Sequence, residues 1–78
     1  MIGVKDKRLL KVFGEHLRNV RKLYGFSQSK LANTADVSLS QISRIERGEI
    51  NPTLCTISAL ANGMKIDLAE LVCFNRKK

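Results

Sequence analysis

A chain of 78 residues is expected to form one small domain with one core, too short to hold a separate catalytic or ligand-sensing unit. Apolar residues make up 44% of it and charged residues 27%, a globular mixture that excludes the apolar-poor signature of disorder. Fourteen Lys and Arg against seven Asp and Glu give a formal charge of +7, which either favours a polyanionic partner such as nucleic acid or serves solubility alone.

The chain as a whole, 1–78, reads as a single domain with a helical core at 7–74 and basic, frayed ends at 1–6 and 75–78. Leu9, Phe13, Leu17, Val20 and Tyr24 step by three or four residues, which predicts a first helix from about Lys7 to Tyr24 with one apolar stripe, stopped by Gly25. Ser27 is suited to cap a second helix, only about two turns long, in which Leu31, Ala32 and Ala35 face inward before a break at Asp36-Val37. Ser38 caps a third helix, with Ile42 and Ile45 inward, and Gly48 ends it.

After a loop at Glu49 to Pro52, Thr53 caps a fourth helix with Leu54, Ile57, Leu60 and Ala61 inward, and Gly63 is expected to terminate it. Asp67 and Glu70 read as a variant capping box opening a last helix through Leu68, Leu71, Val72 and Phe74. Helices of this length are marginal alone in water, so the stripes must close on one another as an all-α bundle of five helices.

Cys55 and Cys73 form no CxxC pair and have no His beside them, so neither zinc nor a disulfide framework is indicated, and both are expected to be small buried apolar residues. His16 stands alone and is given no role beyond a surface position. The acids, the lone His and the two distant Cys form no constellation for catalysis, so an enzyme is not expected, nor is a cofactor. No apolar run approaches the ~20 residues of a membrane span, and Met1 to Val12 lacks the pattern of a secretory signal, so a cytoplasmic protein is expected.

Eight of the fourteen basic residues lie between Lys5 and Lys30, against only Asp6 and Glu15. On the third helix, Ser40, Ser43, Arg44 and Arg47 fall at i, i+3, i+4 and i+7, a polar and cationic face opposite Ile42 and Ile45. Serine can exchange hydrogen bonds with base edges and arginine can bridge guanine O6 and N7, so the stripe suits a helix lying in the major groove; the plain alternative is the solvated face of a bundle helix. A short helix leading into it through a tight break has the layout of a helix-turn-helix at helices 2 and 3.

The run from Gly25-Phe26-Ser27-Gln28 through Leu31-Ala32, then Val37-Ser38 through Ile42-Ser43 and Ile45-Glu46-Arg47-Gly48, and then Pro52-Thr53-Leu54, resembles the phage repressor/Cro-like helix-turn-helix family, also called the XRE family. The resemblance covers about Phe13 to Val72 and implies the lambda-repressor-like DNA-binding fold. It implies base-reading positions at Leu39, Ser40 and Arg44, with Ser43 beside them. Leu39 departs from the polar residues common there, and either meets a thymine methyl or packs against the preceding turn.

Backbone contacts are implied for Ser27, Gln28, Arg47 and Asn51, with Gln28 also able to brace the third helix; Gln41 either reaches a phosphate or is merely exposed. Arg21 and Glu46 match a structural salt bridge of the family, with Arg21 able to spare a bond for phosphate. Lys5, Lys7, Arg8, Lys11, Arg18 and Lys22 add a diffuse field.

A regulator of this kind, a repressor or a restriction-modification controller, would read a pseudo-palindromic operator as a homodimer, because one short helix reads only a few base pairs. Val72 and Phe74 are the implied dimer contacts, while the core claims Leu68 and Leu71. Two other readings stand beside it: the DNA-binding antitoxin of a toxin-antitoxin pair, or a protein-interaction adaptor. RNA polymerase is a further possible partner, and a membrane is not.

Overall fold

A computed structural model describes residues 5–74, and these form five helices with no strand among them. They are α1 (Lys7–Leu23), α2 (Gln28–Ala35), α3 (Leu39–Glu46), α4 (Leu54–Met64) and α5 (Leu68–Val72). The frayed ends expected at 1–4 and 75–78 lie outside the described residues. Asp6, expected in the frayed segment, instead caps α1, its Oδ1 accepting the Leu9 N–H at 3.0 Å.

Short polar side chains start the next three helices as their chemistry requires, each satisfying an amide that the first turn leaves without a helical partner. Ser27 accepts from Lys30, Ser38 from Gln41 and Thr53 from Thr56. After α1, Gly25 takes a positive φ, and the Phe26 amide returns to the Arg21 carbonyl at 3.0 Å.

One core gathers Phe13, Leu17 and Val20 of α1, Leu31 and Ala35 of α2, Ile42 and Ile45 of α3, Leu60, Ala61 and Met64 of α4, and Leu71 of α5. α1 lies against α3 and α5, and α2 against α3 and α4. At the ends of the α1 stripe Leu10 is buried while Leu9 is only half-buried, and Tyr24 is exposed. Tyr24 lies past the end of the helix, and its hydroxyl donates to Glu70 Oε2 at 2.6 Å. That carboxylate, accepting the phenolic proton, holds the Tyr24 pKa above its ordinary value.

Four further expectations fail. α4 does not stop at Gly63 but runs to Met64, and Lys65 supplies the left-handed residue instead, at φ 58°. Gly63 is small for a packing reason: a Cβ there would lie 2.8 Å from the Ala35 Cβ and 2.9 Å from its Cα and N. Helix propensity alone would favour Gly63→Ala by about 1 kcal/mol. Because backbone atoms of α2 stand in the way, we expect a net loss of about 1–3 kcal/mol instead, read as a lower urea midpoint.

Asp67 makes no side-chain cap, and Glu70, its expected capping-box partner, receives the Tyr24 hydroxyl. Leu54 extends the inward face of α4 in sequence only; its side chain, at the first position of the helix, is 68% exposed. Cys55 and Cys73 are both exposed rather than buried, since each lies at a helix end outside the packed faces. No helix among the described residues is long and apolar enough to cross a membrane.

Candidate nucleic-acid interface

The turn between α2 and α3 is tight because Asp36 adopts a left-handed backbone, φ 56°, which returns the Val37 amide to the Ala32 carbonyl at 3.1 Å. Ser38 then starts α3 at once. Ile42 and Ile45, 0% and 1% exposed, fix one side of α3 in the core, so helical geometry forces Ser40 and Arg44 outward. Both are exposed, as is Leu39 at the first position of the helix. Gln41 is half-buried, its backbone N–H donating to Ser38 Oγ.

The far end of α3 is tied to α1 and α2 by one buried polar cluster. Arg21 Nε donates to Glu46 Oε2 at 2.6 Å and its Nη2 to Oε1 at 3.1 Å, while Nη1 reaches the Phe26 carbonyl at 2.8 Å. Gln28 Nε2 also donates to Glu46 Oε1, at 2.9 Å. Gln28 therefore braces α3 from the first turn of α2. Among the described residues no buried side-chain nitrogen or oxygen lacks a partner, which is the condition for such a cluster to be tolerated.

Above this cluster lies an open cleft of about 370 Å³, lined by Arg18, Arg21, Gln28, Ser43, Glu46 and Arg47. It brings Gln28, Ser43 and Arg47, singled out in the sequence, together with Arg18. Ser27 caps α2 at the edge of this region. Asn51 is not in the cleft; it borders an apolar groove with Leu9, Pro52, Ile57, Val72 and Phe74. Val72 is 48% exposed, whereas Phe74 turns its ring onto its own chain, 5.6 Å from Phe13 and 5.3 Å from His16.

Two residues matter here that the sequence reading left aside. His16 Nε2 lies 2.7 Å from the Glu70 carbonyl oxygen, so with the Phe74 stack it latches α5 to α1. Glu49 forks onto Arg47, accepting from Nε at 2.7 Å and from Nη2 at 3.3 Å, while Arg47 Nη1 donates to Ser43 Oγ. The hydrogen bond to Glu49 raises the Arg47 pKa; the same bond lowers that of Glu49, with Arg44 adding a smaller pull. Gly48, read at the sequence level as a helix stop, was the available signal that the next residue folds back.

The outward face of α3 and the cleft beside it offer hydroxyl, amide and guanidinium donors, the groups that meet base edges and phosphates. Among the described residues no group of three or more His, Cys, Asp or Glu could hold a metal ion.

Comparison with known proteins agrees with this geometry. The crystal structure of the restriction-modification controller protein C.AhdI from Aeromonas hydrophila superposes with a TM-score of 0.76 at 37% identity, over 80% of this chain and 94% of that one. The uncharacterized HTH-type transcriptional regulator YazB of Bacillus subtilis is 33% identical over 60 residues, 77% of this chain and 87% of its own length. The immunity repressor protein of Bacillus phage phi105 is 34% identical over 59 residues, 76% of this chain. The chain spans only 41% of that repressor's length. The family profile described as Helix-turn-helix matches residues 17–71, from the middle of α1 to α5. With its two-helix unit, its capped α3 and these relatives, the chain belongs to the XRE-type helix-turn-helix family.

Proposed function

We propose that this protein is a sequence-specific, double-stranded DNA-binding transcriptional regulator of the repressor or restriction-modification controller type, acting in the cytoplasm. The observation that carries this reading is the outward face of α3, where Ser40 and Arg44 stand exposed while Ile42 and Ile45 lock the helix from behind. Laid in the major groove, α3 presents Leu39, Ser40, Ser43 and Arg44 to base edges. Ser27, Gln28, Gln41, Arg47 and Asn51 meet the backbone on either side. Similarity to proteins named as a controller and an immunity repressor supports the same reading.

One eight-residue reading helix cannot specify a unique site, so we infer a homodimer on a two-fold pseudo-palindrome. The exposed Val72 at the apolar groove, with the outer edge of Phe74, is the surface assigned to the dimer. Selection of the protein on a random duplex library at near-physiological salt tests both points. Enrichment of a two-fold-symmetric motif is expected; recovery of salt-sensitive binding without a motif would overturn the specific, dimeric reading.

The two arginines divide the labour. On the selected site, Arg44→Ala is expected to cost about 1–3 kcal/mol and to relax preference at one base pair, because a bidentate base contact is lost. Arg47→Ala is expected to weaken operator and random duplex alike. Titration of both variants against both duplexes checks this, and equal losses for Arg44→Ala on the two duplexes would refute a base-reading role.

A further inference from the structure

Glu49 is an acidic side chain in a region otherwise built to attract phosphate, and the fold puts it there deliberately. Arg47 is the C-cap of α3, Gly48 follows at φ 73°, and the Glu49 amide returns to the Arg44 carbonyl at 2.9 Å. This left-handed turn favours glycine, and here a Cβ would also lie 2.9 Å from the Lys11 Cα; it folds the residue after glycine back over the last turn of the helix. Glu49 thereby comes to lie beside both Arg44 and Arg47.

Its carboxylate takes the Nε and Nη2 edge of Arg47, the fork by which arginine grips a phosphate. Nη1 is bound to Ser43. The pair is half-exposed, at 55% for Arg47 and 50% for Glu49, so it is a solvated contact that an incoming anion can exchange rather than a buried structural bond. Arg18, on the α1 side of the cleft, has no carboxylate partner among the described residues. Arg47 thus lies at the cleft with its charge already answered.

We propose that Glu49 attenuates DNA affinity by competing with backbone phosphate for Arg47, its carboxylate occupying the fork that a phosphate would take. The inference rests on the reading of α3 as the DNA-docking helix. Because the competitor acts on a backbone contact, it lowers affinity for all duplexes and leaves base preference alone. The carboxylate stays ionised across the neutral pH range, since its pKa is lowered, so the attenuation is constant there.

The test uses the full chain, a fluorescein-labelled duplex of random sequence, and anisotropy titrations over a range of salt concentrations. E49Q keeps the shape and removes the charge; E49D keeps the charge and, one methylene shorter, cannot reach the fork in the same way. We expect E49Q to bind about two- to fivefold tighter than the parent. We expect E49D to recover part of that gain, with both variants melting near the parent.

Unchanged or weaker binding by E49Q overturns the proposal and makes Glu49 a residue that holds Arg47 in place for phosphate. Tighter binding by E49Q with E49D at the parent level overturns it in favour of plain repulsion of DNA. If the parent does not bind duplex at any salt, the DNA-docking reading itself fails and this inference falls with it. If the parent binds and E49Q does not gain, only the inference fails.

Discussion

Ile42→Asp is expected to abolish folding at room temperature. Ile42 is fully buried in the core where α3 meets α1 and α2, so truncation alone forfeits about 1.5–3 kcal/mol of apolar burial and leaves a cavity. The carboxylate then adds a charge with no partner in an apolar surrounding, and even its neutral form lacks a hydrogen-bond partner there. Against a total stability of roughly 4–12 kcal/mol for a domain of this size, that sum exceeds what the fold holds in reserve. Ile45→Asp is expected to behave alike. Ile42→Val, which removes one methylene, should cost only about 0.5–1.5 kcal/mol and melt cooperatively. Circular dichroism with thermal melting checks the series; a helical, cooperatively melting Ile42→Asp variant would refute this placement of α3.

Glu46→Ala carries the second largest expected effect, a loss of about 3–5 kcal/mol. Glu46 and Arg21 have only 4% and 8% of their side chains exposed, and Glu46 accepts from Gln28 as well. Removing the carboxylate strands the Arg21 guanidinium among buried groups, with the Phe26 carbonyl as its remaining partner. Most of the cost is therefore the desolvated charge left behind and only a small part is the net attraction of the pair. It follows that the double variant Arg21→Met/Glu46→Leu should be far less damaging than Glu46→Ala. Urea denaturation of the three proteins tests this, and a Glu46→Ala loss under about 1 kcal/mol would show the pair to act like an ordinary surface bridge. DNA affinity should fall in Glu46→Ala too, because the cluster is what holds the end of α3 against α1 and α2.

Both predictions start from features already legible in the chain. Ser27, Ser38 and Thr53 announce helix starts because a short side-chain oxygen satisfies an amide within its own first turn, a contact that needs no tertiary partner. Gly25 and Gly48 announce stops for an equally local reason, the left-handed residue that closes a helix. The inward positions Ile42 and Ile45 follow from helical periodicity, and with them the outward position of Arg44. Local rules misplace features where the deciding atom belongs to another helix. Gly63 looked like a stop and is a contact with Ala35; Glu70 looked like a capping residue and binds Tyr24; Leu54 looked like core and is largely exposed.

The helix count, most of the caps, the core face of α3 and the family can all be read from the chain, since each rests on interactions within about one helical turn or on an ordered motif. Tertiary packing set which distant polar groups meet. Arg21 and Glu46 are 25 residues apart, and His16 and Glu70 are 54 apart. It also decided the role of Gly14, which sits mid-helix because a Cβ there would lie 2.6 Å from the Glu46 carbonyl oxygen. Such contacts depend on distances across helix interfaces, which periodicity does not encode: it says which face of a helix is buried, and the packing of the other helices says against what.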